Sequence, residues 1–105
     1  MKAFTILFFS LCISVLLFSA AFAGGSIEKG KALFNDPTAF NGTSGRSCST
    51  CHPNGQGLEN AGAGSRGLEE TVNHCIVGAL KGTPIDPKSD QMQDIVAYIR
   101  SVGKK

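Results

Sequence analysis

The chain has 105 residues and a formal net charge of +2, enough for one small domain with a thin core. This balance argues against a nucleic-acid binder, which would carry a strong basic stripe; Lys104-Lys105 alone does not make one. A domain this short commonly needs a disulfide, a metal or a cofactor beside its hydrophobic core.

The first segment reads as a leader. Lys2 supplies a short positive start, and Ala3 to Ala20 is apolar apart from Thr5, Ser10, Cys12, Ser14 and Ser19. Ala21-Phe22-Ala23 then gives the small-x-small pattern after which signal peptidase cuts. A transmembrane anchor is the alternative, because the run approaches bilayer-spanning length. The A-x-A site, with no further hydrophobic segment behind it, favours cleavage. Cys12 follows Ser10-Leu11 and lacks the small residue expected before a lipidated cysteine. The mature protein is therefore expected to start at Gly24, to be periplasmic or secreted, and not to be an integral membrane protein.

Beyond the leader, Ser26 caps a first predicted helix, with Ile27, Lys31, Leu33 and Phe34 along one edge. It should stop near Asn35-Asp36-Pro37, since a residue before proline disfavours the helical region. Thr38 to Ser47 is a loop of small and polar residues that ends at Cys48-Ser49-Thr50-Cys51-His52. That pentapeptide is the C-x-x-C-H haem-attachment sequence. Two thiols three positions apart can each form a thioether with one vinyl group of the same porphyrin, and the adjoining imidazole then reaches the iron. Cys48 and Cys51 are thus the expected haem anchors and His52 the proximal iron ligand of one covalent haem c. The mature cysteines are Cys48, Cys51 and Cys75, an odd set that suits a pure disulfide framework poorly. A thioredoxin-like pair would need a βαβ setting, and a zinc site would need a second matching pair.

Pro53 to Gly67 is a second loop, rich in glycine. Leu68 to Leu80 predicts the second long helix, with Leu68, Val72, Cys75, Ile76 and Ala79 on one stripe. Gly82, Pro84 and Pro87 end it and stiffen the connector. Ser89 caps a last helix from Asp90 to Val102, whose inner face carries Met92, Ile95, Val96 and Ile99. Gly103 follows its end. No segment alternates like a strand and no repeat is present, so the fold class is all-α, with about three helices wrapped around one haem.

This order of elements, with Asp94-Ile95-Val96-Ala97-Tyr98-Ile99 in the last helix, resembles the small class I cytochromes c. In that family a glycine and an aromatic of the first helix cross an aromatic of the last. Gly30 and Phe34 match the first half of that contact and Tyr98 the second. The leader read above covers residues 1–23, and the resemblance spans the expected mature chain and implies one cytochrome c domain over residues 24–105. Two features depart from it. The stretch from Phe34 to Cys48 is longer than in compact members, which implies an extra loop beside the haem. The usual Met-Pro ligand before the last helix is missing, and Thr83-Pro84 stands roughly in its place.

The sixth iron ligand is therefore open among Cys75, Met92 and His74, and each has an ordinary structural reading. His74 falls on the side of its helix opposite the apolar stripe and suits a solvated surface residue. Cys75 suits a small buried hydrophobe, and Met92 suits core filler. The segment from Leu68 to Ile99 is also similar to haem domains of thiosulfate dehydrogenases and related sulfur-oxidising cytochromes. There the cysteine matching Cys75 is an axial thiolate, and in an oxygen-binding relative the residue before it, here His74, is the ligand. That similarity ranks Cys75 first, Met92 second and His74 third.

The expected function is electron transfer to and from redox partner proteins, not catalysis, since the carboxylates are scattered as on solvated helix faces. The alternatives are a haem subunit or enzyme of sulfur-compound oxidation, or a haem protein that binds a small ligand. The similar dehydrogenases carry two haems and this chain has one C-x-x-C-H, which favours simple transfer.

Overall fold

A computed structural model describes residues 25–61 and 67–103. The expected leader, part of the glycine-rich loop and the terminal lysines lie outside the described residues. The described residues form four α-helices: α1 (Ile27–Phe34), α2 (Cys48–Cys51), α3 (Leu68–Gly78) and α4 (Asp90–Val102). Short 3-10 turns stand at Ala39–Asn41 and Pro53–Gly55, and no strand occurs among the described residues. The three long helices are those expected from periodicity, with α3 ending at Gly78 rather than Leu80. The fourth, α2, is one turn formed by the C-x-x-C segment itself, too short for any periodic signal. No helix among the described residues is long and apolar enough to cross a membrane.

Local chemistry sets the helix ends. Ser26 Oγ accepts from the Lys29 amide at 3.1 Å and Ser89 Oγ from the Met92 amide at 3.2 Å, so each hydroxyl satisfies an amide left free at a helix start. Glu28 and Asp90 lie in the first turns, where the helix dipole favours a negative charge.

The frame of the molecule is the crossing of α1 and α4. Gly30 is buried at the crossing, and a Cβ there would overlap the Asp94 carbonyl and crowd Tyr98. Only glycine permits so close a backbone approach. Phe34 stacks on Tyr98 with ring centroids 5.0 Å apart and planes tilted by 59°. At the other end of α1, the Ser26 amide donates to Asp94 Oδ1 at 2.8 Å. The crossing expected from Gly30, Phe34 and Tyr98 is present. Phe34, Ile76, Met92 and Ile95 form the fully buried centre of the core.

The long stretch between α1 and α2 packs on the C-terminal end of α3. The Thr43 and Ser44 amides both donate to the Leu80 carbonyl, at 2.9 and 3.1 Å, and the Thr83 amide donates to the Phe40 carbonyl at 2.9 Å. Phe40 and Asn41 adopt φ of 58° and 61°, a left-handed pair that bends the strap and buries the Phe40 ring. Asn73 holds the connector after α3: its side chain donates to the Ile85 carbonyl and accepts from the Ile85 amide, both at 2.8 Å.

Candidate haem site

Ser47 precedes α2 and its amide donates to Thr50 Oγ1 at 2.9 Å, which tightens the single turn that carries Cys48 and Cys51. At His52 the backbone leaves the helix, with φ −126° and ψ 69°, and Pro53 starts the next turn. The break frees the imidazole from the helix surface and aims it at the cleft beside the two thiols.

His52 is held by a second contact. Its Nδ1 lies 2.9 Å from the Gln56 carbonyl oxygen. A carbonyl can only accept, so Nδ1 carries the proton and Nε2 keeps its lone pair for a metal. Gly57, at φ +90°, passes close behind the ring; a Cβ there would stand 3.3 Å from Nδ1. The loop is braced in turn by α4, since Val102 packs against Gly55 and the Gly103 backbone lies against the Glu59 carbonyl.

The cleft takes in about 740 Å³ of space, part of it open solvent. Cys48, Cys51 and His52 line one wall. Leu68, Thr71, Val72 and Cys75 of α3, with Ala79 just past its end, line another, while Phe34, Ile95 and Ile99 from the helix crossing form the floor. Leu58 and Ala61 close one side. The lining is overwhelmingly apolar, and no buried side-chain polar atom among the described residues lacks a partner. Desolvation in this setting pushes the Cys48 thiol up to about 11; nearby Cys75 adds to the rise, a backbone hydrogen bond opposes it, and Cys51 adds a smaller increment. Two thiols, an imidazole with a free Nε2 and an apolar cleft form a donor set that fits a covalent haem.

The three candidates for the sixth ligand fall in different places. Cys75 lines the cleft on the α3 wall and is exposed. Met92 is fully buried in the core and does not line the cleft. His74 is exposed and does not line it either. The buried centre of α3 runs along Leu68, Val72 and Ile76, so Cys75 sits at the edge of the stripe and not in its middle. Thr83 and Pro84 do not line the cleft, because Thr83 is bonded to Phe40 and the following Ile85 to Asn73. Sequence reasoning passes over Thr71, one turn before Cys75 on the same wall, although helical spacing from Cys75 points to it.

The sequence matches no protein-family model and no curated protein. Among solved structures, the crystal structure of SoxXA from P. pantotrophus is similar, with a TM-score of 0.55 and 24% identity over 70% of this chain. The likeness shows the fold. It is a small, all-α, cytochrome c-like domain. The chain spans 30% of the length of that solved chain.

Proposed function

We infer that this protein is a monohaem c-type electron carrier, exported by its leader and working in the periplasm or outside the cell. The observation that carries the reading is His52: its Nδ1 is committed to the Gln56 carbonyl while the ring stands at an apolar cleft shared with Cys48 and Cys51. Such a cleft would hold one haem through thioethers to Cys48 and Cys51, with His52 Nε2 as the proximal ligand. The bound haem supplies one-electron chemistry. The chain's own residues do the rest. The Gln56 carbonyl fixes the tautomer and strengthens the imidazole as a donor. Phe34, Ile95 and Ile99 keep water from the inner side of the cleft, and a rigid site limits rearrangement when charge changes. Redox partner proteins are the expected donors and acceptors.

Cys75 is the ligand this reading assigns to the sixth position, because among Cys75, Met92 and His74 it alone lines the cleft. A Cys75 thiolate would stay ionised beside ferric iron even in apolar surroundings, and it would favour a low potential. The same residue favours a second reading, a haem subunit or enzyme acting on sulfur compounds.

Absorption and EPR spectra of both redox states of purified exported protein test the assignment. Cys75→Ser should change the ferric EPR spectrum, while Met92→Leu and His74→Ala leave it as it was. An unchanged Cys75→Ser spectrum removes the thiolate, and the variant that does alter it names the ligand. Turnover of thiosulfate with an electron acceptor, by the protein alone, would replace the carrier reading with the enzymatic one.

A further inference from the structure

The α2 wall and the α3 wall of the cleft come from segments far apart in the chain, and their separation decides whether a side chain on α3 can meet a group held by His52. Among the bonds that join them, one hydroxyl reaches a residue that lines the cleft. Ser44 Oγ donates to the Ala79 carbonyl at 2.9 Å and accepts from the Arg46 amide at 3.2 Å. Ala79 lines the cleft one turn beyond Cys75, and its own amide donates to the Cys75 carbonyl at 2.9 Å. Arg46 stands two residues before Cys48, next to Ser47, which also lines the cleft.

The surrounding strap is built to hold that hydroxyl in place. The Thr43 and Ser44 amides occupy the Leu80 carbonyl, and Thr43 Oγ1 donates to the Lys81 carbonyl at 3.0 Å. The carbonyls of Ala79, Leu80 and Lys81, just past the end of α3, are thus taken up by the approach to the C-x-x-C-H segment. Lys81 at φ 55° joins Phe40 and Asn41 in the left-handed region, so three non-glycine residues with positive φ meet at this junction. Conformations of that kind persist only where the surrounding structure over-determines them. Gly82 completes the fit, since a Cβ there would overlap the Phe40 carbonyl.

We propose that Ser44 is a positioning residue: its hydroxyl, bonded to Ala79 and Arg46, ties the α3 wall to the α2 wall and sets how firmly Cys75 is held at the sixth position opposite His52. The proposal rests on the haem reading and on Cys75 as the sixth ligand. Breaking the tie leaves both walls intact and lets the α3 wall move away more often, so Cys75 yields its place more readily to an external ligand.

The test is the rate at which cyanide binds to the ferric holoprotein, with ferric EPR and urea unfolding recorded on the same samples. Ser44→Ala should bind cyanide about fivefold to tenfold faster than the parent, the factor corresponding to one net hydrogen bond, and should broaden the ferric EPR signal. Ser44→Thr keeps the hydroxyl and should stay near the parent rate. Thr38→Val is the control, because it removes a 2.8 Å bond to Asp36 in the same strap without touching α3. If Ser44→Ala binds cyanide no faster than Thr38→Val, or gains speed only in proportion to lost stability in urea, the proposal is overturned. The two readings fail separately. A Cys75→Ser spectrum that changes, beside an inert Ser44→Ala, leaves the thiolate standing and removes the tie. An unchanged Cys75→Ser spectrum removes the thiolate, and with it the positioning role of Ser44.

Discussion

Replacing Tyr98 by alanine strikes the crossing on which the cleft floor is built. Tyr98 is 8% exposed, its ring packs on Phe34 at 5.0 Å, and its Cβ lies beside Gly30 at the crossing. Truncating a large buried aromatic costs roughly 3 to 5 kcal/mol, the transfer loss and the residual cavity acting together. Tyr98 keeps a little exposure at its edge, which places Tyr98→Ala near the lower bound, at about 3 kcal/mol. The tilted pair with Phe34 contributes on the order of 0.5 to 1.5 kcal/mol of that loss. A double-mutant cycle with Phe34→Ala should return a coupling of that size, because each ring then lacks its partner. Urea unfolding of the holoprotein, followed by far-UV circular dichroism, reads both quantities. A loss below about 0.5 kcal/mol for Tyr98→Ala is what a surface tyrosine gives, and it would refute the crossing as the frame of the fold.

Other perturbations probe the site and the strap. Gly57→Ala forces a side chain into φ +90° and within 3.3 Å of His52 Nδ1; it should cost about 1 to 2 kcal/mol and shift the ferric EPR g values, whereas an unaltered spectrum would show that the loop does not bear on the imidazole. Asp36 is held below its ordinary value of 3.8, first by the hydrogen bond from the Thr38 amide and then by that from the Thr38 hydroxyl. A depressed carboxyl stabilises the fold above its unfolded pKa and loses that contribution as pH falls through its folded one. Thr38→Val should therefore raise the Asp36 pKa part of the way back, read by NMR titration, and an unmoved pKa would leave the hydroxyl without a role. Native protein should begin at Gly24 on N-terminal sequencing; an intact Met1 would favour the anchor reading.

The long helices are legible in the sequence because serine caps and apolar spacing act locally, and α1, α3 and α4 begin where those signals put them. Gly30, Phe34 and Tyr98 are legible through resemblance, since no local rule says that two helices at opposite ends of a domain will cross. The strap is not legible. Its bonds join Phe40, Thr43 and Ser44 to residues around Leu80, and small polar residues in a loop carry no sign of their distant partners. Spacing alone puts Cys75 at the centre of an apolar stripe, whereas Leu68, Val72 and Ile76 take the core and leave it at the cleft edge. A period-3.6 pattern gives the width of a buried face, but the neighbours decide which side of it borders a cleft. Met92 falls into the core for the same reason, completing the face that α4 turns inward.

Mass spectrometry of the exported protein under denaturing conditions tests the central claim most directly. The account predicts a mature chain heavier by one haem, with the added mass on the peptide containing Cys48 and Cys51, and its loss in the Cys48→Ala, Cys51→Ala double variant. A chain of unmodified mass in which Cys48, Cys51 and Cys75 all remain open to a thiol reagent would contradict it.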